Sequence, residues 1–294
     1  MTLRTSEWVL VYFFGYIAAV APFFRDRPVL KYQPAFVLAG VFGLLWAIAQ
    51  IERTRFAEVA GMARDWLPLI LTLGAFREME LFLPVRFDHR FEADWIRWDR
   101  VLLSEWHLQS MIESFGALFP LCLELCYLLV YGTGFFCVAL LYLQHRRFEI
   151  DRFLAVYLIG TLLAYALFPY FPSQPPRIVF PGLDAPLITT WARTLNLWIL
   201  KLGTIHVGVF PSAHVSSAFS AAWGMFLVLP HRKFIGCGLL LYAVAVSIAT
   251  VYGRYHYAAD VLAGFALSLI PAFVCLVLRE EQMRIQKPTT CSNL

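Results

Sequence analysis

The stretch "TVYGRYHYAADVLAG", residues 250–264, carries Arg254, His256 and Asp260 within seven positions. Apolar runs flank it at 234–252 and 259–279. Each is close to the roughly 20 residues that an α-helix needs to cross hydrocarbon. The stretch therefore reads as a turn between two crossings. It brings three ionisable side chains to one membrane face, where such groups are costly unless they point into a bundle or a cavity.

Working outward, six more runs have the same character: 7–24, 33–50, 65–83, 117–144, 153–171 and 211–229. The expected fold is all-α, a polytopic membrane bundle of about eight transmembrane helices. Composition agrees, since the 294 residues are 60% hydrophobic and 15% charged, against about 25% charged in soluble domains. A net charge of +4 is too small to argue for nucleic acid as a partner. The run 117–144 contains Pro120, Gly132 and Gly134, so a tilt or kink is expected there. Ala19-Val20-Ala21 imitates a signal-peptide cleavage site. However, Pro22 follows it and Glu7 stands where a basic segment belongs, so 7–24 reads as a retained first span. The six cysteines read as small core residues. Cys122 and Cys126 are one helical turn apart but lack the further ligands of a metal set.

With eight crossings, both termini share one side. The connections 85–116 and 172–210 lie on the other, with the turn 253–258. The first holds "DWIRWDRVLLSEWHLQ" and the second "PLITTWARTLNLWILKLG". Both mix tryptophans with charges at helical spacing and read as amphipathic helices in the membrane interface. Basic residues in the short loops and tails place the termini in the cytoplasm. The site then faces the extracytoplasmic side of what is expected to be a bacterial inner membrane.

Three clusters converge on that side. The fifth run ends "FPYFPSQPPR" and delivers Arg177; the sixth begins "GVFPSAHVSSAF" and delivers Ser212 and His214. The third cluster is Arg254, His256 and Asp260. Together they suit an anion. Pro211 fits a first helical turn, which leaves the N–H groups of Ser212–His214 at the positive end of a helix dipole. Arg177 and Arg254 add planar forks that match phosphate oxygens. His256 and Asp260 are four apart and share a helix face. The carboxylate can hold one ring N–H and free the other nitrogen to attack, while His214 protonates a leaving oxygen. Taken singly, a helix cap, an i,i+4 pair and snorkelling arginines account for each cluster; the convergence of all three favours a site.

"PSAH" followed some forty residues later by "HYAADVLAG" resembles the type 2 phosphatidic acid phosphatase superfamily, which also holds the vanadium haloperoxidases. The resemblance covers roughly residues 65–279, as a six-helix core. It implies His256 as nucleophile, Asp260 as its orienting partner, His214 as acid, and Ser212, Arg177 and Arg254 as phosphate ligands. It implies no metal or other cofactor. Two departures are informative. The arginine that ordinarily precedes the second histidine by six is Thr250 here, with Arg254 two before instead; and "PSQPPR" replaces the usual first motif. Both are similar to the inositol phosphorylceramide synthase branch of inositolphosphotransferases. Its bacterial relatives also resemble this chain at Arg77-Glu78 and Asp99.

Arg77 and Glu80 are spaced to pair within one helix. Glu124 is expected to face the bundle. For Arg77, Glu78 and Glu124 two readings stand open, a polar tie between helices or a headgroup contact. The chain thus divides into two extra helices (1–64), a catalytic membrane domain (65–279) and a polar tail (280–294). The expected activity is phosphoryl transfer from a membrane lipid, with water or a polyol or lipid alcohol as acceptor. Two alternatives are a lipid phosphate phosphatase and, remotely, a non-catalytic lipid-binding or transport protein. Nothing in the sequence sets the oligomeric state.

Overall fold

The computed structural model describes residues 3–24, 28–82, 84, 87–203 and 208–286. Among them the regular structure is helical, with no strand. In chain order the helices are α1 (Thr5–Val20), α2 (Gln33–Ile51), α3 (Ala57–Glu78), α4 (Arg90–Arg100), α5 (Leu108–Glu113), α6 (Leu118–Leu129), α7 (Thr133–Leu143), α8 (Ile150–Leu167), α9 (Pro176–Val179), α10 (Trp191–Gly203), α11 (Ala213–Val228), α12 (Lys233–Tyr252) and α13 (Ala258–Gln286). The protein is a polytopic helical bundle. Large apolar side chains such as Tyr12, Phe36, Leu241 and Phe273 are exposed around it, as a lipid-facing surface requires.

Seven helical segments among the described residues are long and apolar enough to cross a membrane. One of them, Leu118–Leu143, is α6 and α7 joined through a 3₁₀ turn at Val130–Gly132. The break therefore falls at the expected glycine, whereas Pro120 sits harmlessly in the first turn of α6. The eighth expected crossing is the short one. It is α11, of only 16 residues, about 24 Å long at ~1.5 Å per residue. This helix is the centre of the bundle, with α8, α12 and α13 packed around it. A helix enclosed by protein need not match the bilayer, because its ends meet protein rather than lipid. Its small residues allow close approach: Ser216 Oγ donates to the Gly160 carbonyl of α8 at 2.8 Å. On the α13 side, a Cβ at Gly264 would lie 2.4 Å from the Ser212 carbonyl oxygen. Helix α13 continues to Gln286, into the expected polar tail; residues 287–294 lie outside the described residues.

At one end of the bundle an ion-pair network fastens α1 and α2 to the remainder. Arg64 of α3 donates to both oxygens of the fully buried Glu7, at 2.6 and 2.5 Å, and also pairs with Glu52. Arg4 reaches Asp65 at 2.6 Å, and Arg147 reaches the other oxygen of Asp65 at 2.7 Å. Asp151 accepts from the backbone N–H and hydroxyl of Ser6. Glu7 is thus a partner for Arg64 within the fold. The loops at the opposite end carry the three clusters.

Candidate active site

His256 lies in the turn between α12 and α13. Its Nδ1 is 3.0 Å from the Val209 carbonyl oxygen and 3.2 Å from Asp260 Oδ2. A carbonyl only accepts, so Nδ1 carries the proton and donates, leaving the Nε2 lone pair free. Burial, with the nearby Arg177 charge added to it, pushes this imidazole down to about 3, so the ring is neutral. Asp260 does more than orient it. Its Oδ2 accepts from the Tyr257 N–H at 2.9 Å, and its backbone oxygen accepts from the Ser212 N–H at 2.9 Å. One residue thereby joins the second and third clusters.

His214 is the second residue of α11. Its ring stands perpendicular to that of His256, with centroids 5.5 Å apart. The rings of Tyr127 and Tyr131 stand nearly perpendicular to it, with centroids 5.4 and 5.0 Å away. Ser212 differs from expectation. It is the N-cap, with its hydroxyl accepting from the Val215 N–H at 3.4 Å, and Pro211 stands outside the helix. A serine oxygen caps a helix better than proline opens one here, because it satisfies an orphan N–H. The Ser212 N–H, bonded to Asp260, is likewise not free for an anion.

Arg177 is carried by the short helix α9. Its backbone N–H donates to the Arg254 carbonyl at 3.3 Å, Nη1 donates to the Tyr255 carbonyl at 3.5 Å, and the guanidinium lies 5.7 Å from the Tyr255 ring centre. His214, His256 and Arg177 share a cavity of about 360 Å³. Its other walls are largely apolar and aromatic, including Leu73, Phe76 and Tyr131, and Arg77 stands on its rim. Neutral imidazole, second imidazole and guanidinium around one cavity form a set that can attack, protonate and neutralise a phosphoryl group.

A sequence model of the PAP2 superfamily matches residues 93–274, well over half of the chain. The chain belongs to the PAP2 superfamily. A PA-phosphatase related-family protein of Dictyostelium discoideum is similar, 34% identical over 62 residues. That match takes in 21% of this chain and 11% of the relative, so the chain covers about a tenth of that protein's length. No solved structure matches.

In this PAP2 protein Arg254 departs from the expected arrangement. Its backbone is left-handed, with φ 62°, and its buried guanidinium pairs through Nη1 with Asp99 Oδ2 of α4 at 2.6 Å. Asp99 also accepts from the Ala258 N–H at 2.8 Å. Burial holds the Asp99 carboxyl up at about 6 despite the arginine beside it. Arg254 lines a neighbouring cavity and does not line that of the histidines. Glu124 is likewise part of a built network. It accepts from Arg193 Nη1 at 2.9 Å, Asn196 Nδ2 at 2.8 Å and the Tyr255 hydroxyl at 2.6 Å. Glu78 is buried in α3, and neither carboxylate oxygen has a partner among the described residues. Among those residues no group of three or more His, Cys, Asp or Glu is placed to hold a metal ion.

Several contributors escaped sequence reasoning. Val209 is a backbone acceptor, which leaves no trace in residue type. Arg193 and Asn196 share the polar face of α10 that spacing had marked only as amphipathic. Glu92 of α4 accepts from the Gln174 N–H at 3.1 Å and so anchors the loop that leads to Arg177. Trp95 stacks on Phe210 at 4.8 Å, one residue before the "PSAH" motif. Its signal was present in the tryptophan-rich stretch, but not its target.

Proposed function

We propose that this PAP2 protein is a membrane phosphoryl-transfer enzyme acting on a lipid phosphate or phospholipid through a phosphohistidine. The observation that carries this reading is the pinned tautomer of His256, beside His214 and Arg177 on one cavity. In the first step Nε2 attacks phosphorus and the P–O bond to the leaving group breaks. The leaving oxygen takes a proton from His214, whose protonated form the arriving phosphate favours. Charge left on the Nδ1–H side of the ring is met by Asp260 Oδ2 and the Val209 carbonyl. Arg177 balances the charge gathering on the phosphoryl oxygens. In the second step His214, now neutral, takes a proton from the incoming hydroxyl, which attacks phosphorus and releases His256. No step draws on a metal. The apolar cavity walls favour a donor whose chains stay in the bilayer.

We read the reaction as transfer to an alcohol, of the inositolphosphotransferase type, with a polyol or lipid alcohol as acceptor. The support is the "PSQPPR" and Arg254 pattern together with the cover that α9 and α10 provide, since transfer requires water to be outcompeted. Hydrolysis of a lipid phosphate is the second reading, favoured by the printed name of the Dictyostelium relative. Partitioning decides between them. Labelled phospholipid is supplied with and without inositol, glycerol and ceramide. An adduct that grows at the expense of hydrolysed product supports transfer; constant hydrolysis with no adduct makes the protein a phosphatase. Lipid bound without turnover of any donor would leave a lipid-binding or transport protein.

A further inference from the structure

Arg177 lines a second cavity as well, of about 340 Å³, which neither histidine reaches. Arg193 and Arg254 complete its basic lining, with Leu183 and Leu197 among the apolar residues. The volume lies at the low end of the roughly 300–1,000 Å³ typical of small-molecule pockets. Its outer wall is the 180–185 loop, where Pro181 and Gly182 are exposed.

Two features of the arginines that line this cavity ask for an anion. The first is charge. Arg193 is paired with Glu124 and Arg254 with Asp99, but no carboxylate among the described residues lies in salt-bridge range of Arg177. The second is an unused fork. Arg254 is 2% exposed, and its Nε and Nη2 have no partner among the described residues. Those two nitrogens form one edge of the guanidinium, the edge that takes two oxygens of a phosphate side by side. Buried charged donors are rarely left unbonded. The left-handed backbone at Arg254 is a further cost that the fold sustains to hold the group there.

We propose that this cavity is a second anion subsite, which takes a phosphate carried elsewhere on a substrate than the phosphoryl group transferred by His256. The inference rests on the phosphoryl-transfer reading above. The phosphate has two sources: an acceptor alcohol that is itself a phosphate ester, or the second phosphate of a diphosphate lipid donor. Arg177, between the two cavities, contacts both groups.

The test compares partners that differ by one phosphate: inositol with inositol 1-phosphate, glycerol with glycerol 3-phosphate, and a lipid monophosphate with its diphosphate. The expected result is a KM at least ~10-fold lower for the phosphorylated member of the acceptor pairs or of the donor pair, and the pair that shows it names the source. Leu197→Trp adds bulk to the cavity lining from α10 and leaves both members of the Arg254–Asp99 pair unsubstituted. It is expected to erase the preference while turnover of the single-phosphate donor stays within ~2-fold. Arg254→Gln is expected to erase it too; if that variant fails to fold, Leu197→Trp decides alone. No preference in any wild-type pair, or one that survives Leu197→Trp, overturns the proposal. Failure of the underlying reading looks different, since the wild type would then turn over no lipid donor. In that event inorganic phosphate is titrated directly. Two sites per chain, falling to one in Leu197→Trp, sustain the subsite, and fewer than two in the unsubstituted protein refute it.

Discussion

At the scale of single residues the proposed reaction rests on which nitrogen of His256 holds the proton. The Val209 carbonyl settles it, and Asp260 shares the same N–H. His256→Ala should abolish turnover without unfolding the protein, because the ring sits in a turn outside the central helix packing. His214→Ala should lose roughly 10²–10⁴-fold on poor leaving groups and much less on activated esters, since only proton donation is removed; comparing rates for an alkyl and a nitrophenyl ester measures this. A second expectation follows from the pKa held down to about 3 by burial and Arg177. An ordinary histidine, near 6.5, loses about tenfold in neutral fraction as the pH falls to 5.5. Here the neutral ring persists through that range. Phosphoenzyme formation from a phosphodiester donor should therefore fall less than ~3-fold between pH 7.5 and 5.5. A fall near tenfold contradicts it. The sequence named His214, His256 and Asp260 as candidates: His256 and Asp260 by local i,i+4 spacing, His214 from a separate cluster that only the fold brings beside them. The role of Val209 was not legible, since any residue offers a carbonyl.

At the scale of elements, α4 is the piece that makes the third cluster a fixed structure. Asp99 receives both the Arg254 guanidinium and the Ala258 N–H that opens α13. Neither partner is close to it in sequence. Asp99→Asn leaves a buried guanidinium without its counter-charge and should cost about 3–5 kcal/mol. The double variant Asp99→Asn/Arg254→Gln should recover part of that loss, because no unpaired charge remains. Thermal unfolding in detergent of the two single variants and the double one measures the coupling, and additive losses contradict the pairing. The elements themselves were largely legible, since long apolar runs and a 3.6-residue period announce them. What was not legible is how an amphipathic helix docks. Spacing marked α4 and α10 as interfacial, yet α4 buries Glu92 and Asp99 and α10 buries Arg193 and Asn196 against the bundle. Spacing sees neighbours three and four apart; these partners are separated by sixty residues or more. The same limit hid the short length of α11, which follows from its enclosure by α8, α12 and α13.

At the scale of the whole molecule the bundle has two differently built ends. One is closed by the pairs of Arg4, Arg64 and Arg147 with Glu7, Glu52 and Asp65. The other opens into two cavities that share Arg177. If the termini are cytoplasmic, the second end faces outward. A cysteine placed at Leu187, an exposed loop position, should then react with an impermeant thiol reagent on intact cells, and labelling only after lysis inverts the orientation. The two-ended plan was visible in the sequence as loop placement, but the network around Glu7 was not, because its members come from four separate helices and loops. In the proposed reaction the phosphoryl group passes through His256. The most direct measurement is rapid quenching of the protein in liposomes during turnover of a phosphate-labelled lipid, followed by peptide mapping. Label is expected on the peptide carrying His256, stable to base and lost in acid, absent in His256→Ala, and discharged when acceptor is added. Normal turnover with no label on that peptide, together with an active His256→Ala protein, would contradict it.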